Sequence, residues 1–279
     1  MNNSIYPCLW FDGKAKEAAE FYCDVFINSK LSADTPLVVM IESNGQKIMC
    51  LNGGPHFKLN PSISFFVVCE TEKETDEVWA KLTDEGSVLI PLDKYEWSDK
   101  YGWVQDRFGV SWQLSFGKME DVGQKFTPSF LFTDEQCGKT EEAVKFYTSV
   151  FKNSSVTGIL KYGAGEDDKE GLVKHAMFTL DEYVFMAMDS SVQNKFNFNE
   201  AFSIVVTCDT QDEIDYYWNK LTEDGMESMC GWLKDKFGVS WQIVPSVLEK
   251  LMSDPDKSQN VLNAFLKMKK FDIEKLLNA

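Results

Sequence analysis

The strongest constraint on this chain is that it repeats itself. Asp106-Arg107-Phe108-Gly109-Val110-Ser111-Trp112-Gln113-Leu114 recurs, 129 residues later, as Asp235-Lys236-Phe237-Gly238-Val239-Ser240-Trp241-Gln242-Ile243. The segment 18–26, with Phe21-Tyr22 and Val25-Phe26, recurs at 143–151 with Phe146-Tyr147 and Val150-Phe151. The segment 78–86, with Trp79, Lys81-Leu82-Thr83 and Gly86, recurs at 217–225. Three blocks in one order, at offsets that differ only by loop-sized insertions, mark a duplication. The period is too long for a solenoid unit and is about one domain long. The 279 residues hold two domains of roughly 100–150 residues each. The expected division is 1–120, 121–245 and a tail over 246–279.

Each copy reads as strand–helix–strands, twice over. Ile5–Phe11 is an apolar run closed by Asp12-Gly13, a strand and its turn. Ala15, Ala18, Ala19, Tyr22, Val25 and Phe26 then recur at helical spacing. Leu37–Ile41 and Lys47–Leu51 flank Ser43-Asn44-Gly45, a hairpin signal because Asn-Gly accepts positive φ. Val173–Leu180 and Tyr183–Met188 flank Asp181-Glu182 in the same way. After Asn60-Pro61 come a buried strand (Ile63–Cys69), a helix (Glu72–Glu85) and a late strand (Ser111–Ser115). Helices on one face of mostly antiparallel strands predict an α+β fold. In the tail, Ser253-Asp254-Pro255 ends one helix and starts another. Helices are expected at about 246–252 and 255–278, packed as a lid or brace.

The copies differ where they would meet a ligand. Gly86 and Gly102 are 16 residues apart, whereas Gly225 and Gly231 are six apart. Tyr95, Trp97 and Tyr101 therefore belong to the first copy alone, and they suit a flap over an apolar ligand. Twenty-eight Lys and Arg against 44 Asp and Glu leave a formal charge of −16. Such a surface repels phosphate backbones and anionic lipids, which argues against nucleic acid and membrane as partners. No run of about 18 apolar residues is present, and the first seven residues lack the pattern of a signal peptide. Seven cysteines, an odd number with no C-x-x-C spacing, fit reduced thiols in a cytoplasmic protein.

The double strand–helix–strands order, with Phe-Tyr on the first helix and Asp-x-Phe-Gly-x-x-Trp before the last strand, resembles the vicinal oxygen chelate (glyoxalase/bleomycin resistance/dioxygenase) superfamily. Within it the chain is similar to the PhnB-like branch, often labelled 3-demethylubiquinone-9 3-methyltransferase. The matching residues are Pro7–Phe11, Phe21-Tyr22, Leu51–Gly54 and Asp106–Gln113 in the first copy. In the second copy they are Pro128–Phe132, Phe146-Tyr147, Met186–Met188 and 230–245. The resemblance implies paired βαβββ modules that form a half-open, U-shaped sheet around a pocket. It also implies that the tandem copies make, within one chain, the dimer that single-domain members form between two.

Metal-dependent members of that superfamily hold a divalent ion with His, Glu or Gln on pocket-facing strands. In register with the helical Phe-Tyr, Pro7 and Pro128 take the slot of the first-strand His, and proline offers no donor. The last-strand Glu corresponds to Gln113 and Gln242, and the middle strands offer Ser62 or Ser64 and Ala201 or Ser203. The two histidines, His56 and His175, stand apart without an H-x-E-x-H or H-x₃-H cluster. No metal and no cofactor are expected. Alternation along Ser111–Ser115 puts Trp112 and Leu114 on one face and Gln113 on the other. The pocket candidates are Pro7, Leu9, Asn52, Tyr95, Trp97, Tyr101, Gln113, Pro128, Phe130, Asp189 and Gln242. Asn52 and Asp189 suit turn formation equally. No nucleophile elbow or phosphate loop appears. A methyltransferase would need a glycine-rich strand–helix turn in a parallel sheet, and the sequence shows none. Three readings stand. The one the residues favour is a metal-independent small-molecule-binding protein, with one working pocket in the first copy and the second copy as its built-in partner. The others are an enzyme of the superfamily with an atypical metal site, and a structural or regulatory protein with filled pockets.

Overall fold

The computed structural model describes residues 4–279. Four βαβββ modules follow one another along the chain. The first comprises β1 (Ile5–Phe11), α1 (Ala15–Val25), β2 (Ser29–Asp34), β3 (Val38–Ser43) and β4 (Gln46–Asn52). The second comprises β5 (Ile63–Cys69), α2 (Glu72–Thr83), β6 (Ser87–Tyr95), β7 (Ser98–Gln105) and β8 (Ser111–Phe116), and a short α3 (Met119–Val122) follows. The third comprises β9 (Phe126–Phe132), α4 (Thr140–Val150), β10 (Ser155–Lys161), β11 (Val173–Leu180) and β12 (Tyr183–Asp189). The fourth comprises β13 (Phe202–Cys208), α5 (Gln211–Leu221), β14 (Met226–Glu227), β15 (Trp232–Lys234) and β16 (Ser240–Pro245). The tail adds α6 (Val247–Met252), α7 (Ser258–Phe265) and α8 (Ile273–Leu277).

Every module closes in the same way. Its first strand runs parallel to its last: β1 to β4, β5 to β8, β9 to β12 and β13 to β16. The local signals explain the elements. Asn44 and Gly45 both take positive φ (50° and 78°), as the expected hairpin turn requires, and Asp181 and Glu182 do the same at 47° and 68°. Thr71 caps α2 and Thr210 caps α5, each accepting from the backbone N–H three residues on. The strands that the sequence did not announce include β2, β6, β7, β10, β14 and β15. Along β10 and much of β6 and β2 the residues are exposed, because outer strands need no apolar alternation.

The chain forms two compact units, one of residues 7–202 and one of residues 4–6 with 203–279. In the first, eight strands make one sheet in the order β10-β11-β12-β9-β5-β8-β7-β6. Its centre is the antiparallel pair β5/β9, with Ser64 opposite Ser129 and Phe66 opposite Thr127. This sheet therefore joins the second module of the first repeat to the first module of the second repeat. One of its faces packs on helices. Trp112, fully buried, lies against Tyr22 of α1 at 5.2 Å between ring centroids and against Phe26, just past α1, at 5.0 Å. Phe130 and Phe178 meet Tyr147 of α4. The same unit holds β2, β3 and β4 in order, with Pro7–Phe11 of β1 beside β4.

In the second unit β13, β16, β15 and β14 are neighbours in that order, and the tail packs on this module. Residues 255–278 were expected to form one helix. They form α7 and α8 separated by an irregular stretch, and in that stretch the carbonyls of Met268 and Lys269 accept from the backbone N–H groups of Cys230 and Gly231, each at 2.7 Å. A continuous helix would have used those carbonyls itself. Phe271, buried beside Gly231, anchors the break.

The repeated Asp-x-Phe-Gly block is a structural node. Asp106 accepts from the backbone N–H of Phe108 and Val110 (2.8 and 3.0 Å), from the Trp112 indole (2.8 Å) and from the Tyr22 hydroxyl (2.9 Å). Asp235 repeats the pattern with Phe237, Val239 and the Trp241 indole. Burial pushes the Asp106 carboxyl above the usual carboxylate range, and its hydrogen bonds pull it back down. Asp106→Ala strands several buried donors at once. It should cost about 3–5 kcal/mol, read as a lower urea midpoint with an unchanged m-value.

Candidate functional site

Pleating and register divide the eight-stranded sheet into two lists of side chains. Phe65, Trp112, Phe126, Pro128 and Phe130 share the helix-packed face, since Phe65 pairs with both Trp112 and Pro128. The opposite face carries Gln113. Beside Gln113 stand Phe66 and Trp103, and Thr127 lies across from Phe66. In the neighbouring row Ser64 faces Ser129, Ser129 faces Met186, and Met186 faces Met177. Met188 and Leu131 form a further pair on this face.

A directed hydrogen-bond chain crosses its floor. The Tyr101 hydroxyl donates to Gln113 Oε1 at 2.7 Å, and Gln113 Nε2 donates to Ser64 Oγ at 2.7 Å. All three residues are buried. Burial, with Tyr95 close by, raises the Tyr101 phenol well above its ordinary value, so it stays a donor. Beside this chain lie two further buried hydroxyls, Thr127 and Ser129, whose oxygens have no hydrogen-bond partner. Phe66, Met177 and Met188 are half-buried and form the rim.

The other sequence candidates separate into distinct places. Pro128 and Phe130 stand on the face opposite Gln113, among the helix-packed aromatics. Asn52 caps α1: its Oδ1 accepts from Ala15 N–H at 2.9 Å, and its Nδ2 donates to the Pro36 carbonyl. Asp189 holds the approach to α4 and the start of β11, accepting from Gly138 N–H, the Thr140 hydroxyl and Val173 N–H. Pro7 and Leu9 are buried in β1. Tyr95, Trp97 and Tyr101 form one aromatic cluster on the β6–β7 hairpin. Tyr95 stacks on Trp97 at 5.5 Å, and Trp97 meets Tyr101 at 4.5 Å. Trp97 is 60% exposed. In the second unit Gln242 Nε2 donates to Ser203 Oγ at 2.9 Å. That pair reproduces Gln113–Ser64, but Cys230 stands before Gly231 where Tyr101 stands before Gly102.

Thr127, Ser129, Met177, Phe66 and Trp103 were not singled out from sequence. Phe66 and Trp103 flank Gln113 through the β5/β8 and β7/β8 pairings, whereas Thr127, Ser129 and Met177 join this face only because β9 of the second repeat pairs with β5 of the first.

The donor set does not suit a divalent metal. Around Gln113 it comprises neutral hydroxyls, an amide oxygen already engaged by Tyr101, and a thioether. Among the described residues no group of three His, Cys, Asp or Glu side chains could hold a metal ion, whereas such an ion wants three or four strong converging donors. His56 is exposed in a loop. His175 lies on β11 opposite Leu160, half-buried, and burial alone lowers its pKa.

The model of the family described as 3-demethylubiquinone-9 3-methyltransferase matches residues 3–115 and again 124–244. Among solved structures, a PhnB protein from Bacillus cereus is 36% identical. That match covers 40% of this chain and 98% of the other, at a TM-score of 0.38. Glyoxalase I from Zea mays is 12% identical over 88% of this chain and 94% of its own, at a TM-score of 0.60, a likeness of fold. No curated protein matches the chain.

Two predictions follow from the titrating groups. Because folding lowers the His175 pKa below 6.5, the unfolded chain takes up a proton that the folded one refuses as pH falls through that value. The stability carried by neutral His175 is therefore complete above pH 6.5 and lost below it. Chemical denaturation at pH 7.5 and 5.5 should show a smaller acid loss in His175→Gln than in the parent. Burial also pushes the Cys69 thiol to about 11 and the Cys208 thiol to about 12. Neither should react with iodoacetamide at pH 8 until the chain is unfolded, as peptide mass mapping would show.

Proposed function

From a chain that belongs to the 3-demethylubiquinone-9 3-methyltransferase family, and so to the vicinal oxygen chelate superfamily, we infer small-molecule binding without a metal ion on the Gln113 face. The observation that carries this reading is the buried chain Tyr101–Gln113–Ser64. It places neutral polar groups, each held at a fixed angle, beneath a rim of methionines and aromatics. A few oriented polar groups within an apolar lining are the usual make-up of a small-molecule site. A metal-assisted reaction would need anionic or imidazole donors in the same positions, and the chain has Ser64, Gln113, Ser129 and Met186 there.

The two repeats serve as each other's partner in this reading. One side of the face comes from β5, β7 and β8, the other from β9, β11 and β12, and the central β5/β9 pairing joins them. Methyl transfer is not part of the reading. The turns into α2 and α5 carry threonine caps rather than the glycine-rich turn that cradles a nucleotide-type cofactor. No described helix is long and apolar enough to cross a membrane.

Native mass spectrometry of the protein as purified tests the reading. The expected spectrum contains apo protein or protein with an organic adduct, and excess Zn²⁺, Ni²⁺ or Co²⁺ leaves the Tm unchanged. A tightly held divalent ion that disappears in Gln113→Ala would replace this reading with that of a metal-dependent enzyme. Gln113→Leu should also lower stability by about 1–3 kcal/mol, because the Tyr101 and Ser64 hydroxyls lose their partner.

A further inference from the structure

Donors and acceptors on the Gln113 face do not balance. Tyr101 gives its proton to Gln113, and Gln113 gives one of its own to Ser64. The chain thus runs in one direction and ends on a hydroxyl whose own hydrogen meets no acceptor. Ser64 lies directly opposite Ser129 in the β5/β9 register, and Thr127 is two residues along the same strand on the same face. Thr127 is 0% exposed and Ser129 1%, and neither hydroxyl oxygen has a partner. Burying a hydroxyl unpaired costs on the order of 1–3 kcal/mol. Valine and alanine would fill the same space in a strand without that cost. Three hydroxyl donors converge here, and the fold supplies nothing for them to donate to.

We propose that this face takes a neutral, mainly apolar molecule bearing one carbonyl-type oxygen, and that Ser64, Thr127 and Ser129 are the donors that select it. The proposal rests on the reading of the Gln113 face as a binding site and adds the chemistry of the ligand. A carbonyl oxygen has lone pairs and no hydrogen of its own, so it satisfies donors without leaving a new one unpaired. An anion would accept as well, but the rows that meet here carry no fixed cation, and His175, two residues from Met177 on the same face of β11, is disfavoured as a cation by burial. The buried ammonium of Lys125 is already engaged by Glu74 at 2.6 Å and by the Val68 carbonyl. An unpaired charge in such surroundings is far more costly than a neutral oxygen, and the chain's formal charge of −16 opposes anions further. The body of the ligand is set by Met177, Met186, Met188, Leu131 and Phe66. Thioether side chains are flexible gap-fillers, so these methionines can adapt to a flat apolar group.

The first repeat carries no copy of this donor set. Tyr6 and Cys8 stand where the second repeat has Thr127 and Ser129, two positions matched through Pro7 and Pro128. Selectivity for the carbonyl oxygen thus belongs to the Gln113 face alone.

Three probes of one shape test the proposal on the full chain by equilibrium dialysis: 2-acetylnaphthalene, 2-ethylnaphthalene and 2-naphthoate. The ketone should bind about tenfold or more tighter than the hydrocarbon, the value of roughly one well-made hydrogen bond, and the carboxylate should bind weakest. The double substitution Thr127→Val with Ser129→Ala should remove the ketone's advantage over the hydrocarbon. In the ligand-free protein the same double variant should hold or raise the Tm, because two unpaired buried hydroxyls are gone. Should it lower the Tm, the hydroxyls serve the fold and the proposal falls; Thr127→Val alone gives the same readout if the double variant does not fold. Equal binding of ketone and hydrocarbon, or tightest binding of the carboxylate, overturns the ligand class and leaves the face as a binding site. No binding of any probe overturns both.

Discussion

The antiparallel pairing of β5 with β9 is the interaction on which the Gln113 face depends. Both strands, Ile63–Cys69 and Phe126–Phe132, are mainly apolar and almost wholly buried. Such a strand cannot sit at the edge of a sheet without exposing both an unpaired backbone and an apolar side. A single βαβββ module leaves its first strand in that position, open along one edge. Pairing two first strands removes both open edges at once, and in the unit of residues 7–202 the two strands come from different repeats. Everything proposed for the Gln113 face follows from this junction: Gln113 and Ser64 arrive from one side, and Thr127, Ser129 and Met186 from the other.

The helix-packed side of the same sheet explains why that polar floor is affordable. Phe65, Trp112, Phe126, Phe130, Phe178 and Phe185 are all fully buried there. Fully burying one large apolar side chain contributes roughly 1.5–3 kcal/mol. Against a row of such residues, two unpaired hydroxyls are a tolerable loss. The Asp106 node works in the opposite sense: its carboxylate is buried at a cost, yet every bond it accepts fixes the turn, the Trp112 indole or the Tyr22 phenol in place. One buried polar group is fully satisfied and serves the scaffold. The other two are not, and on the present reading they serve a ligand.

The repeats have diverged most at the ends of their sheets. The second module extends its β6–β7 hairpin and carries Tyr95, Trp97 and Tyr101 on it, whereas the fourth module reduces the equivalent strands to β14 and β15. There the tail takes over. Met268 and Lys269 lend their carbonyls to Cys230 and Gly231, and Phe271 fills the space beside Gly231. A Gln–Ser pair survives on each side, but only Gln113 has a phenol behind it. Divergence of this kind leaves the scaffold alone and changes what can reach the polar residues.

Much of this was legible in the chain itself. The duplication, the α+β class, β1, α1, the Asn44-Gly45 turn and the separation of Trp112 from Gln113 all follow from local chemistry. Apolar period, turn residues and pleating act over a few positions, and the backbone obeys them wherever the segment lies. The exposed outer strands and the break in the tail were not legible, because solvent on one side or a borrowed carbonyl leaves no period in the sequence. The placement of the candidate residues was legible only in part. Alternation and the family resemblance set Gln113 on the face opposite Trp112, where the register has it, but Pro128 and Phe130 turn to the helices, Asn52 caps α1, Asp189 ties the approach to α4 to the start of β11, and neither Thr127 nor Ser129 carries a signal of its own. The faces on which Pro128, Phe130, Thr127 and Ser129 lie were decided by register between strands some 60 residues apart. A shift of one residue in that register exchanges the two faces, and no local signal in either strand carries that information.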